Sequence, residues 1–235
     1  MSNGNSVPNR PQAQDDRDDA SENSFVLINV LGNDRGGDAI ELWSVDQEDP
    51  TVKATTATLP SGSSLLLRHG LVIYKVGQYS FDYLGAGETA TDSFTYSIRL
   101  GDGTYSTATV DVLIHGVNDP ASIAHTSVSL VEGDSADDLS TSGTVAIDDV
   151  DGPDSFIAGT QEGYYGTFTI DEAGHWTYTA SSAHDEFEDG TWYGEVFSIY
   201  AADGTPAGLW LNLLGTAEEP AMLNAFAAPD LVAYV

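Results

Sequence analysis

Two aspartates separated by one residue in an extended loop can place both carboxylates on the same side of it. Asp149-Val150-Asp151 has that spacing. Such a pair suits a hard divalent cation, above all calcium, which collects six to eight oxygens at about 2.3–2.6 Å from carboxylates, carbonyls and water. Other acids and amides stand where neighbouring loops could complete the set. In the second half of the chain these are Asn118, Asp119, Glu132 and Asp203. In the first half they are Asp15, Asp16, Glu22, Asn33, Asp34, Asp38 and Asp102. The competing reading is that Asp and Asn favour turns on their own account. The segment Asp149-Val-Asp-Gly-Pro-Asp154 is not an EF-hand, because it lacks that motif's loop length and its closing Glu.

Catalytic chemistry is thinly represented, and no enzyme is expected. His69, His115, His125, His175 and His184 are scattered, without a His-Glu-x-x-His pair to hold a catalytic zinc. No Gly-x-Ser-x-Gly elbow is present. Gly133-Asp134-Ser135 reads as a turn, and the run from Asp185 to Asp189 as a solvated loop. With 37 acids, a glycosidase-like carboxylate pair can be drawn almost anywhere and means little. Trp176 and Tyr178 alternate as core residues do. Trp192-Tyr193, beside Gly190 and Gly194, suits either loop packing or contact with a glycan or protein.

Charge sharpens the cation argument. The chain has 235 residues, 7 Lys+Arg, 37 Asp+Glu and a formal charge of −30. All seven bases lie within the first 99 positions, whereas residues 100–235 hold 23 acids and no base. A compact domain so unbalanced repels itself. Salt screening or a bound divalent cation must offset this. The same imbalance argues against nucleic acid and anionic membrane as partners. Without cysteine there are no disulfides and no thiolate zinc sites. No apolar run reaches the ~18 residues that would span a bilayer, so no membrane insertion is expected.

The elements that must position these acids read as β-structure. Short runs of Val, Ile, Thr, Tyr and Phe are punctuated by Gly, Asp, Asn and Ser. Residues 64–67 and 71–74 flank Arg68-His69-Gly70 as a hairpin. Phe94, Tyr96, Ile98 and Leu100 alternate with polar residues. A turn at Gly101-Asp102-Gly103 then leads to Ala108, Val110, Val112 and Ile114. Period-two patterning with short loops and no long helix predicts antiparallel sheets with one wet face. The plan then repeats, with a 105-residue unit at 15–119 and a 101-residue unit at 120–220. About seven short strands per unit is the signature of a sandwich.

These residues resemble the tandem cadherin-like and VCBS-type repeats of large bacterial adhesins exported by type I secretion. The first unit resembles the cadherin-like form in Asp15-Asp16, Glu22, Val30-Leu-Gly-Asn-Asp34, Asp92-Ser-Phe-Thr-Tyr96 and Gly116-Val-Asn-Asp-Pro120. The second resembles a VCBS repeat in Val131-Glu-Gly133, Gly143–Asp151, Tyr165–Tyr178 and Ala202-Asp-Gly-Thr205. Glu218-Glu219 replaces the usual Asn-Asp at the second boundary. The resemblance implies an all-β chain of two tandem Ig/cadherin-like antiparallel β-sandwiches, with calcium at the repeat boundaries stiffening the linker. It also implies a secreted bacterial protein with a structural or adhesive role in the extracellular matrix or biofilm. Its partners would be other copies of itself or a cell-surface or matrix polysaccharide. The alternatives are a glycan-binding adhesin module and an accessory domain of an extracellular hydrolase.

The ends differ from the repeats. Residues 1–14 have little to bury and read as a disordered arm, without the charged and apolar regions of a Sec signal. In residues 221–235, Asp230 precedes a terminal apolar run, similar to the uncleaved signal of type I secretion substrates. A loose tail, a last strand or a strand donated to a neighbouring copy fits the same residues.

Overall fold

The computed structural model describes residues 12–36 and 40–217. Asp38 and the C-terminal residues 221–235, read above as a cation ligand and a secretion signal, lie outside the described residues. The described chain is all-β apart from one 3-10 turn at Ala136–Leu139, in which the Ser135 hydroxyl donates to Asp138 Oδ2. It divides into two compact units, the first from the described residues within 12–122 and 148–153, the second from those within 123–147 and 154–217. The boundary drawn from sequence at 119/120 therefore misses one exchange. The Asp148–Pro153 loop, which carries the Asp-x-Asp pair, belongs with the first unit.

The first unit contains two four-stranded sheets. One runs β1 (Asp16–Ser21), β8 (Tyr105–His115), β7 (Thr89–Arg99) and β3 (Glu41–Val45). The other runs β2 (Phe25–Ile28), β6 (Leu71–Lys75), β5 (Ser64–Arg68) and β4 (Thr56–Thr58). The alternation read along β7 and β8 puts Phe94, Tyr96 and Ile98 against Val110, Val112 and Ile114 in one core. Ser97 breaks the pattern. It is buried and shares a 2.6 Å hydrogen bond with Ser44, beside an irregularity in the β3 register that turns Ser44 inward. His69 and Gly70 join β5 to β6 with φ of 52° and 78°, the double left-handed pair that a tight hairpin demands.

The second unit follows the same plan. The two-residue strands β9 (Ser122–Ile123) and β12 (Ile147–Asp148) each straddle the division between the units and belong to neither alone. One larger sheet runs β10 (Thr126–Val131), β17 (Pro206–Leu214) and β16 (Trp192–Tyr200). The other runs β11 (Thr141–Thr144), β15 (His175–Ala180), β14 (Gly166–Ile170) and β13 (Gly159–Glu162). Its core is aromatic: Phe168 stacks on Phe197 at 4.8 Å, with Trp176 and Tyr178 buried beside them. Gly143 leaves room for the Trp176 indole, since a Cβ there would sit 2.8 Å from the ring.

The hairpins are antiparallel as expected, but each unit adds one parallel pair. β1 pairs with β8 from Asp16↔Val110 to Ser21↔His115, and β10 with β17 from Thr126↔Leu209 to Val131↔Leu214. Parallel neighbours need a long connection. Here the rest of the unit supplies it, bringing the first strand beside the last. Residues 12–14 also depart from the disordered-arm reading. Gln12 forms an isolated bridge with Arg35, and Ala13 packs against the first core.

Candidate metal centre

Glu22 follows β1 directly, where the parallel pairing with β8 ends. Its backbone N–H donates to the His115 carbonyl at 3.0 Å, and its Oε1 accepts from the Val117 N–H at 2.6 Å. These two bonds hold a buried carboxylate in place, yet its Oε2 has no hydrogen-bond partner. Asp119 lies two residues beyond Val117. Its N–H donates to Asp151 Oδ2 at 3.0 Å, which draws in the Asp-x-Asp loop. Within that loop the Asp151 N–H donates to Asp149 Oδ1 at 3.3 Å. Gly152 permits this close fold: a Cβ there would lie 2.6 Å from Asp149 Oδ2. Asp82, in the loop after β6, completes the group and is steadied by Asn23 Nδ2 at 3.1 Å.

Glu22, Asp82 and Asp119 each bring one carboxylate oxygen within 4.8 Å of the others. Asp119 Oδ2 and Asp151 Oδ1 are also buried without a hydrogen-bond partner. Among the described residues, no Lys, Arg or His forms an ion pair with any of these acids. Two like charges at that separation repel by ~3 kcal/mol at an effective dielectric near 20. Glu22, Asp119 and Asp149 hold their protons more tightly than usual. Burial, then the charges of Asp119, Asp82 and Asp151, raise the Glu22 pKa against the lowering effect of the Val117 N–H. Burial, then Asp82 and Asp151, raise that of Asp119. Burial, followed by the neighbouring Asp151, raises that of Asp149. A divalent cation among these oxygens would remove both the repulsion and the missing partners.

The residues read from sequence thus regroup. Glu22, assigned to the first-half set, stands instead with Asp119, Asp149 and Asp151, and Asn118 immediately precedes Asp119 in the chain. Asp82 was missed; it follows an apolar run in an unremarkable loop, and only the fold brings it to Glu22. Four others of the first-half set, Asp15, Asp16, Asn33 and Asp34, gather at the other end of β1 around the Tyr96 hydroxyl, which lies 2.9 Å from Asp34 Oδ1 and 3.1 Å from the Val30 carbonyl. Asp34 Oδ1 also accepts from the Gln14 N–H, Asp15 Oδ1 accepts from the Thr109 N–H, and Asn33 Nδ2 donates to the Asp15 carbonyl. Asp16 Oδ2 and Asp34 Oδ2 are buried there without partners. Burial, with added repulsion from Asp34 and Asp15, pushes the Asp16 pKa up to about 6 despite its contact with Tyr96.

Asp102 and Asp203 each hold a hairpin turn. Asp102 Oδ1 accepts from the Thr104 N–H and hydroxyl, and Asp203 accepts from the same two groups of Thr205. Glu132 repeats Glu22 in the second unit. Its N–H donates to the Leu214 carbonyl, its Oε2 accepts from the Thr216 N–H at 2.8 Å, and its buried Oε1 has no partner. The boundary residues Glu218 and Glu219 that follow lie outside the described residues.

Paired sheets with the first strand laid parallel to the last define an immunoglobulin-like sandwich. Residues 8–113 match the bacterial Ig domain family, just under half of the chain. No curated protein matches. Among solved structures, Drosophila N-cadherin EC1-4 is similar with a TM-score of 0.48 and 14% identity, over 88% of this chain and 50% of that one. Human CDH23 EC21-23 follows at 0.44 and 16%, over 85% and 67%. The chain therefore spans half the length of the N-cadherin structure. At such identities the likeness concerns the fold, and the cation reading rests on the carboxylates themselves.

Proposed function

We infer that this chain is a secreted, calcium-stabilised structural or adhesive module of the bacterial extracellular matrix or biofilm, with a VCBS-type second unit. The carrying observation is the group of Glu22, Asp82 and Asp119, with Asp151 tied to Asp119, in which Glu22, Asp119 and Asp151 each keep a buried carboxylate oxygen without a hydrogen-bond donor. Calcium suits it because only hard oxygen donors are present. The ion would staple loops of a chain that has no disulfides. Asp15, Asp16, Asn33 and Asp34 would form a second cation set at the far end of β1, and Glu132 a third in the second unit. Other copies of the chain are natural partners for such a module. No helix among the described residues is long and apolar enough to cross a membrane.

Thermal melting with calcium and with chelator tests this. A ligand bound only to the folded state stabilises by about 2.7 kcal/mol at a hundredfold excess over its Kd. Calcium should raise the melting temperature by several degrees, and Asp119→Asn or Asp151→Asn should remove most of that gain. Equal melting in calcium and chelator would overturn the reading. Type I export through residues 221–235 belongs to the same proposal. Deleting residues 231–235 should abolish secretion, and undiminished secretion would count against that route.

A further inference from the structure

The sheet of β10, β17 and β16 has an outer face free of charged side chains. Its outward positions are every second residue of β10 from Ser127, of β16 from Trp192 and of β17 from Pro206. None is Asp, Glu, Lys or Arg. In a chain with 23 acids after residue 99, such a gap leaves an uncharged strip. The strip is also aromatic. Trp192 is 55% exposed, Tyr200 45% and Trp210 37%, with Val196 exposed between them. Val196 lies opposite Trp210 across the β16–β17 ladder.

Trp210 is fixed before any ligand arrives. Its indole packs over Gly208, where a Cβ would lie 2.8 Å from the ring. His125 stacks against it at 4.7 Å with the planes 17° apart. Gln161 guards the free edge of β16: its side-chain amide donates to the Ser198 carbonyl at 2.7 Å and its oxygen accepts from the Ser198 N–H. That contact discourages strand addition at this point and leaves the face as the open surface.

We propose that this face binds a neutral polysaccharide, whose sugar rings stack on Trp192, Trp210 and Tyr200 while Ser198 and Asn212 offer hydrogen bonds to hydroxyls. The C–H faces of a pyranose are apolar and weakly positive, and aromatic faces are negative. Charge selects a neutral polymer, since an acidic one meets no Lys or Arg on the strip and a molecule of −30 repels it. Size argues against a second copy. Three strands of nine residues or fewer give a face of about 450 Å². A stable protein partner needs about 800 Å² on each side. A polymer chain fits a long, narrow strip, and Trp192 to Tyr200 spans about 27 Å at the usual strand rise. This deepens the adhesive reading by giving it a ligand class, and it does not require the cation group.

The test is affinity electrophoresis of the full chain in native gels containing hydroxyethylcellulose, galactomannan or dextran, with alginate as the charged comparison, each run with calcium and with chelator. At least one neutral polymer should retard the protein, and alginate should not. Trp192→Ala and Trp210→Ala should each weaken retardation about tenfold, as loss of a central aromatic anchor does. Tyr200→Ala provides a further variant at an exposed position should Trp210→Ala lower the melting temperature. Retardation that persists in chelator while melting shifts with calcium separates this proposal from the cation reading. Failure of all three neutral polymers overturns it, as does retardation indifferent to every substitution. A dimer in sedimentation that Trp192→Ala abolishes would assign the face to a second copy. Binding gained only on removing residues 221–235 would assign it to the chain's own end.

Discussion

A carboxyl that is buried among other carboxyls titrates late. Asp16, with its pKa near 6, is the clearest case, and Asp34, Glu22, Asp119 and Asp149 are shifted the same way. Each binds its proton more tightly folded than unfolded, so its favourable contribution is present below about pH 4. That contribution is lost as pH rises through the folded value of each group, near 6 for Asp16. In chelator, the urea midpoint should therefore fall between pH 4.5 and 6.5, and Asp16→Asn should flatten the fall. A midpoint that rises across that range would contradict the assignment. Calcium competes with these protons, so its benefit should grow with pH. Asp49, Asp102 and Asp171, held below their ordinary values largely by local hydrogen bonds, have the opposite sign: their contribution is present above about pH 4 and is lost only on further acidification. The Asp149/Asp151 spacing announced itself in the sequence, and so did Glu22 and Asp119. Their assembly did not, because the loops that meet are separated by up to a hundred residues or more and join through backbone hydrogen bonds. Asp82 had no local signal at all.

Strands with an apolar period of two were legible, and so were their turns. The β5–β6 hairpin shows how turn chemistry can still be improved. His69 stands at φ 52°, where a non-glycine residue pays for left-handed backbone and Asn is much better tolerated. His69→Asn should raise stability by about 0.5 kcal/mol, read as a higher urea midpoint at unchanged slope. An unchanged or lowered midpoint would mean that His69 makes a compensating contact. β1 was illegible for the opposite reason. Its sequence, Asp-Arg-Asp-Asp-Ala-Ser, buries only Ala20 and owes its conformation to backbone pairing with β8. β13, Gly-Thr-Gln-Glu, is an edge strand of the same kind. Hydropathy cannot find strands held by their ladders alone. The parallel pairs were hidden with them, because β1 forms one of them.

The imbalance of 7 bases against 37 acids looks uniform in composition and is not uniform in space. In the first unit, carboxylates draw together at both ends of β1, where a cation can neutralise several at once. In the second, one sheet face excludes charge altogether. Solubility alone would ask for neither arrangement. Matching motifs in the two halves of the chain point to a repeat. The exchange of the Asp148–Pro153 loop was not legible in them, because a loop's sequence says little about which unit it packs with.

The parallel alignment of first and last strands has a mechanical consequence. In each unit the chain enters at the start of one strand and leaves from the end of its parallel neighbour, so a pull on the two ends slides the strands past each other. The hydrogen bonds along six paired positions, Asp16↔Val110 to Ser21↔His115 in one unit and Thr126↔Leu209 to Val131↔Leu214 in the other, then carry load together. A ladder loaded in shear must break as a whole, whereas a peeled hairpin opens one rung at a time. Glu22 and Glu132, each tied to the residues just past the last strand, clamp the ends of those ladders. Such a chain is built to stay folded under tension.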